Sequence, residues 1–371
     1  MSLLSRFGAL RRLDWSLFAV TILLTAFGLA ALYSVTINVE NPSYDQFLSQ
    51  ATFAIVGIAI MLAIAILDYR VWWNSAWPLY ILGILLLLAV LFFGETIRGT
   101  RGWFVIFGRT FQPVEFVRIF LVLAMARFFA SRDIGQGTMK TIIWSGLMVA
   151  LYVGLLALEP EFGYSAVLMG AWLVLLFFQR IPRWQFALVI LGFMAAMVFS
   201  WFFVLEDYQK ARVLTFLSPE QDQLGDGYNV TQSIVAVGSG QLFGRGLGLG
   251  PQSQLNFLPE QATDFIFAAI AEELGFVGAM LVIGAFSILF FRILAIIRRS
   301  RDMYTTYLLT GLLLLLFLQT FINIGMNLGL LPVTGIPLPF VSSGGSALLA
   351  NFFILGILQS ISMRQPANAN S

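Results

Sequence analysis

The chain contains no cysteine and no histidine. The first absence removes any disulfide framework and any thiolate chemistry; the second removes the commonest general base and the commonest zinc ligand. Acid and base work therefore falls to carboxylates, lysines or tyrosines. Charge is scarce too: 11% of the 371 residues are charged, and the formal net charge of +2 is too small to argue for a nucleic-acid partner. No cleavable leader is read at the N-terminus.

What the chain has in excess is apolar surface. Hydrophobic residues make up 59% of it, far more than a soluble globule buries. The apolar runs recur near the roughly 20 residues that cross about 30 Å of hydrocarbon. The reading is an all-α integral membrane protein, a single polytopic domain over 1–371, with spans at 15–35, 47–67, 76–93, 113–130, 141–158, 162–179, 184–204, 264–291, 304–330 and 345–363. Ten spans put both termini on one side. That side carries fourteen Lys and Arg, namely Arg6, Arg11, Arg12, Arg70, Arg127, Arg132, Lys140, Arg180, Arg183, Arg292, Arg298, Arg299, Arg301 and Arg364. The other carries six: Arg98, Arg101, Arg109, Lys210, Arg212 and Arg245. Both termini are thereby assigned to the cytoplasm.

The acids fall the other way, with Glu40, Asp45, Glu95, Glu159, Glu161 and most of those from Glu206 to Asp264 outside. This points to an extracytoplasmic working face built from two segments, about 94–112 and about 205–263. The second is long for a plain connection, and Tyr228, Val230, Ile234, Val235 and Val237 give it apolar residues to lay against the membrane. Its glycines, at 238, 240, 244, 246, 248 and 250, lack the strand and the Lys-Ser/Thr of phosphate-binding loops, and tight turns are their simpler reading.

Three outer helix mouths hold the remaining chemistry. The fourth span opens with Gln112, Pro113 and Glu115, and places Glu115 and Arg118 three residues apart at membrane depth, as a structural ion pair or a site. Before the eighth, Thr263 and Asp264 read either as a helix cap or as a functional carboxylate. Eight and nine residues on, Glu272 and Glu273 point to different sides of the same helix. Before the tenth, Gly335 to Ser346 is irregular backbone that must be covered by protein or line a cavity. Asn323 and Asn327 share one face of the ninth span, where interhelical hydrogen bonding is the simpler role.

Taken together, Gln112-Pro113-x-Glu115, Lys210-x-Arg212, Gly227-Tyr228-Asn229 with Gln232-Ser233, Gly238-Ser239-Gly240, Leu258-Pro259-Glu260, Thr263-Asp264-Phe265-Ile266-Phe267, Glu272-Glu273-Leu274-Gly275 and Pro339-Phe340-Val341-Ser342 make the whole chain resemble the SEDS family (shape, elongation, division and sporulation). Residues 252–260 look more like its elongation member than its division member. The resemblance implies a ten-helix inverting glycosyltransferase in the bacterial cytoplasmic membrane that polymerises lipid II outside, paired with a monofunctional class B penicillin-binding protein. It implies Asp264 as general base and Glu115, Arg118, Lys210, Arg212, Glu161, Glu260, Ser342 and Ser343 around the substrate, with room for a divalent cation on outer carboxylates. Val114, Arg118, Glu161, Ala262 and Ser343 depart from the family pattern of Ser, Lys, Asp, His and Tyr at those places. A lipid-precursor flippase and a non-catalytic scaffold of the cell-wall machinery are the competing readings.

Overall fold

The computed structural model describes residues 12–37, 44–97, 100–106, 108–132, 139–203, 205, 207–217, 225–255 and 257–365. Arg6, Arg11, Glu40, Arg98, Glu206 and Asn256 lie outside the described residues. Long helices dominate: α1 (Trp15–Ile37), α2 (Asp45–Ile66), α3 (Arg70–Phe93), α4 (Val114–Ala130), α5 (Met139–Leu158), α6 (Phe162–Phe178) and α7 (Arg183–Phe203). Shorter α8 (Asp207–Leu217), α9 (Asp226–Ser239) and α10 (Pro251–Gln254) occupy the long loop, followed by α11 (Ile266–Arg298), α12 (Met303–Asn327) and α13 (Gly345–Ser362). Eight of these, α1, α2, α3, α5, α7, α11, α12 and α13, are long and apolar enough to cross a membrane.

The purely α-helical expectation is corrected at 95–111. There β1 (Glu95–Ile97), β2 (Thr100–Ile106) and β3 (Arg109–Phe111) form a small antiparallel sheet in chain order. Thr100, Trp103, Phe104 and Val105 are β-favouring residues, and the sheet closes the end of α3 by way of Arg101, whose guanidinium donates to the carbonyls of Gly94 and Phe92. α3 also begins at Arg70, six residues before the expected start, with Pro78 accommodated inside the helix.

One continuous core joins the helices. α2 and α13 approach closely where glycines remove side chains: a Cβ on Gly57 would strike the Phe352 ring, one on Gly345 the Phe53 ring, and one on Gly356 the Ile64 side chain. At one end of the bundle the helices are stitched by polar contacts. Asp14 N–H donates to Gln359 Oε1 (2.9 Å) while Gln359 Nε2 donates to Asp14 O (3.0 Å), and Arg292 pairs with the Asp14 carboxylate. Arg364 donates to the carbonyls of Ala65, Ile66 and Ser360 at the C-terminal end of α2 and of α13. The opposite end collects the N-termini of α4, α6, α11 and α13.

α11 is broken. Gly275 has φ +68° and ψ −165°, which separates Ile266–Leu274 from Phe276–Arg298. The groups freed by the break are met by the turn after α9: Arg245 N–H donates to Glu272 O (3.0 Å), Gly246 N–H to Glu273 O (3.0 Å), Phe276 N–H to Gln241 O (2.8 Å) and Val277 N–H to Leu242 O (3.1 Å). The backbones touch, since a Cβ on Gly240 would lie 1.9 Å from Ala271 O and one on Gly244 2.0 Å from Glu273 O. The turn reading holds at Gly244, Gly246 and Gly248, which take left-handed backbone, while Gly238 lies inside α9.

The side chains of the two glutamates complete the joint. Glu272, with no exposed surface, accepts from Gln252 N, Ser253 N and Ser253 Oγ at 2.8–3.0 Å and so caps α10. Glu273 accepts from Gly248 N (3.1 Å) and from Ser34 Oγ of α1 (2.7 Å). Both carboxylates are thereby committed to the loop and α1. A Cβ at position 275 would sit 2.3 Å from Gly244 N in a left-handed backbone. Gly275→Ala should therefore cost about 2 kcal/mol or more, read as a lower thermal midpoint in detergent. Gly284→Ala, where nothing lies within 4 Å, should be neutral or mildly stabilising in the same assay.

Candidate active site

Asp264 stands on the turn that enters α11. The expected cap is corrected: the helix starts at Ile266 behind Phe265, which makes no side-chain cap, and the Thr263 hydroxyl turns back to Glu260 O (3.2 Å) and Oε2 (3.0 Å). The cause is Glu260, whose φ of +53° folds residues 260–265 into a tight turn. The capping is done from α12. Asn327 Oδ1 accepts from Ala268 N (3.0 Å), and its Nδ2 donates to Asp264 O (2.9 Å). Asn323 Nδ2 donates to Asp264 O (3.0 Å) and Ile336 O (2.9 Å). Both asparagines thus make the interhelical bonds expected of them, and they hold the Asp264 backbone from below. The half-buried carboxylate lies beside Gly335, where a Cβ would stand 3.9 Å from Oδ2.

The segment before α13 locks the same turn from the side. Ser342 Oγ donates to Thr263 O (2.6 Å) and accepts from Leu338 N (2.8 Å), and Ser343 N donates to Ala262 O (2.9 Å). Gln50 of α2 reaches Ser342 O (3.0 Å) and Gly344 N (3.1 Å). The irregular stretch is thus covered by protein, as membrane depth requires. Ser342, expected at the substrate, is buried and spends its hydroxyl on Thr263. It positions Asp264.

The expected convergence of helix mouths is present. Gln112 N donates to Ser346 Oγ (3.0 Å), joining α4 to α13, and Gln112 Nε2 donates to Glu161 Oε1 (2.8 Å), joining α4 to α6. Glu161 and Glu159 flank Pro160 in the turn between α5 and α6, both buried, with Gly102 of the sheet against them. Burial and Glu161 push the Glu159 carboxyl up to about 9. Glu161 rises to about 7: burial raises it most, the Gln112 hydrogen bond opposes this, Glu115 and Asp264 raise it further, and Arg212 lowers it. Glu161 therefore lies within electrostatic reach of Asp264, Glu115 and Arg212, which draws α8 to the site.

Glu115 and Arg118 form a closed pair. Arg118 Nη2 lies 2.7 Å from Glu115 Oε2, its Nε donates to Glu115 O (3.0 Å), its Nη2 donates to Asn351 Oδ1 (3.0 Å), and Tyr164 OH donates to Glu115 Oε1. Neither side chain has exposed surface. Arg118, expected at the substrate, gives Nε and Nη2 to Glu115, one turn earlier on the same helix, and to Asn351, while its buried Nη1 has no hydrogen-bond partner. Lys210 and Arg212 on α8 are half-buried, Ser343 is half-buried, and Glu260 is exposed at the rim. Among the described residues no three Asp or Glu side chains come together as a metal site.

Residues 14–366 match the model of the FtsW/RodA/SpoVE family, described as "Cell cycle protein". The peptidoglycan glycosyltransferase MrdB of Escherichia coli (strain K12) is 40% identical over 307 residues, 82% of either chain. A probable peptidoglycan glycosyltransferase FtsW of Coxiella burnetii is 35% identical over 348 residues, 91% of this chain and 93% of its own. Among solved structures, a chain of a peptidoglycan synthase complex, described for its structural coordination of polymerization and crosslinking, superposes with a TM-score of 0.80 at 29% identity, covering 96% of this chain and 99% of that one. The rod shape determining protein RodA of Thermus thermophilus gives 0.71 at 27% identity, covering 96% and 98%.

The raised Glu161 carboxyl has a sign that can be tested. Folded, it holds its proton more tightly than unfolded, so its contribution to stability is complete below the ordinary carboxylate range and is lost as pH rises through about 7. Glu161→Gln keeps an acceptor for Gln112 and removes the titration. Between about pH 5 and about pH 8, the wild-type thermal midpoint should fall relative to that of the variant; parallel profiles would contradict the assignment.

Proposed function

The chain belongs to the FtsW/RodA/SpoVE family, the SEDS proteins, and is a peptidoglycan glycosyltransferase; we propose that it polymerises lipid II on the outer face of the cytoplasmic membrane during elongation, with Asp264 as general base. In this reading α4 and α6 join the eight longer helices as spans, giving ten with both termini cytoplasmic. Residues 205–263 then lie outside, and the whole chain is one membrane domain. A class B penicillin-binding transpeptidase is the proposed partner, supported by the likeness to a synthase complex that couples polymerization to crosslinking.

The chemistry needs one base. Lipid II presents an α-linked sugar diphosphate, and a β-1,4 bond forms with inversion when the acceptor 4-hydroxyl attacks C1. Asp264 takes the hydroxyl proton as the C1–oxygen bond to the pyrophosphate breaks. The observation that carries this reading is the two asparagines holding the Asp264 carbonyl where four helix N-termini meet, which fixes a half-buried carboxylate at that mouth. The pyrophosphate leaves as an anion beside Arg212 and Lys210, with the helix mouths adding their positive ends. Glu161 tunes the field at Asp264. Arg118 fixes Glu115 beneath, and Glu260 and Ser343 form the rim the sugars pass.

A flippase would have to open the bundle at both ends, against the Asp14–Gln359–Arg292 and Arg364 contacts. Purified chain in detergent with lipid II alone should give glycan polymer. Scrambling without polymer would support a flippase, and partner binding without polymer a scaffold.

Two substitutions test the roles. Since Asn327 supplies the cap, Asp264→Asn should cost less than about 1 kcal/mol of stability and keep lipid II binding, yet lower turnover by about 10²-fold or more. A folded Asn variant that polymerises at the wild-type rate would remove Asp264 from the chemistry. Arg212→Glu should give a folded protein with lost or severely reduced polymer formation, and near-normal yield would remove it from the pyrophosphate site.

A further inference from the structure

The turn that closes the α11 break carries more apolar surface than its structural task needs. Leu242, Phe243, Leu247 and Leu249 are all exposed, Phe243 by 82% and Leu249 by 67%. They do not face the α11 break, which is met by backbone alone. Large apolar side chains grouped on one turn mark a contact surface.

Their position says what they contact. The bonds from Phe276 N and Val277 N to the carbonyls of Gln241 and Leu242 place the turn directly against the first residues of the second half of α11. That half continues as an apolar span whose exposed residues, beginning with Phe276, Val277, Met280 and Leu281, face hydrocarbon. The leucines and the phenylalanine extend this surface toward the loop end of the helix. Arg245 is exposed among them, and its side chain makes no hydrogen bond or ion pair among the described residues. An apolar cluster with one long cation at its centre suits the boundary between acyl chains and phosphates.

The turn is also rigid before it meets any ligand. Gly244, Gly246 and Gly248 hold left-handed φ values of +81°, +100° and +71°, and Glu272 and Glu273 fix three of its N–H groups. Burying these side chains would therefore order nothing further. We propose that residues 241–249 are an interfacial lipid anchor: Leu242, Phe243, Leu247 and Leu249 enter the outer acyl boundary, and Arg245 takes a phospholipid phosphate. The Gly275 joint then sits at the membrane surface. The segment that leads to Asp264 is held at a set position relative to the bilayer.

The absence of cysteine makes a direct test available. Phe243→Cys and Leu247→Cys, each labelled with the environment-sensitive fluorophore NBD in the full chain, are placed in nanodiscs of phosphatidylcholine and phosphatidylglycerol. Glu260→Cys, on the same loop at the rim of the site, serves as the water-exposed reference. Both positions are exposed, so the substitutions remove no packing. Blue-shifted emission at 243 and 247 is expected, with quenching several-fold stronger by lipids spin-labelled near the headgroup than by lipids labelled near the chain end. The Glu260→Cys label should respond to neither. If the labels at 243 and 247 behave like the reference, the anchor is excluded. If they become shielded only on addition of a class B transpeptidase, and remain unquenched by lipid, the surface belongs to a protein partner and the proposal fails.

Discussion

A helix interrupted inside an apolar protein frees carbonyl and amide groups that neither lipid nor aliphatic side chains can satisfy, and the break in α11 at Gly275 poses that demand at the centre of the loop side of this bundle. Only another backbone can approach closely enough to meet it, which accounts for glycine at 240 and 244 on the facing turn. Once that turn is docked, Glu272 and Glu273 find N–H and O–H donors that a continuous helix would not offer, and burial of two adjacent carboxylates becomes tolerable. From α10 the restraint runs through the Leu258 N–H to Gln252 O bond and the buried Leu258 to the Glu260 turn and Asp264. The Asp264 turn is thus held at one end by α12 and at the other by the α11 joint.

Polar groups on this side of the bundle divide into those that hold and those left to act. Gln50, Asn323, Asn327, Ser342 and Ser346 are buried and each bonds a backbone group of a neighbouring element, while buried Gln112 donates its side chain to Glu161. They have no net charge, so they can fill membrane-depth contacts without the desolvation penalty of an ion. Among the charges that lie deep, Glu115 and Arg118 pair with each other, and Glu272 and Glu273 accept from donors of the loop and of α1. Carboxylate and guanidinium groups with surface remaining, Asp264, Arg212 and Glu260, are gathered at the rim.

Much of the bundle was legible because its determinant is local. Apolar run length marks where a helix must cross, and most observed boundaries fall within two or three residues of the reading. The start of α3 is not legible in the sequence, because Arg70 and Asn74 resemble loop residues; in the fold Arg127 donates to the Trp73 and Asn74 carbonyls. The strands at 95–111 are too short for periodicity to announce. α8, α9 and α10 are less apolar than the spans and take their order from contacts across the fold. The same is true of the site. That asparagines at 323 and 327 face another helix could be argued from spacing, whereas spacing left Asp264 open between a cap and a functional carboxylate, and only the resemblance singled it out. That those asparagines cap α11 in place of Thr263, or that Ser342 is spent on a carbonyl, depends on chains more than fifty residues apart in sequence. The glycine run and Glu272-Glu273-Leu274-Gly275 were the one visible signal of the α11 joint, and they became readable only as a pair.

The polar seam that ties Asp14, Gln359, Arg292 and Arg364 at the far end of the bundle bears on the energetics of turnover. A carrier must expose its site alternately to two compartments and can borrow work from an ion gradient. A vessel sealed at its base cannot. If the proposed reading holds, with one mouth the sugars arrive and the strand departs by the same side, and the driving force is confined to the sugar–pyrophosphate bond that the substrate brings with it.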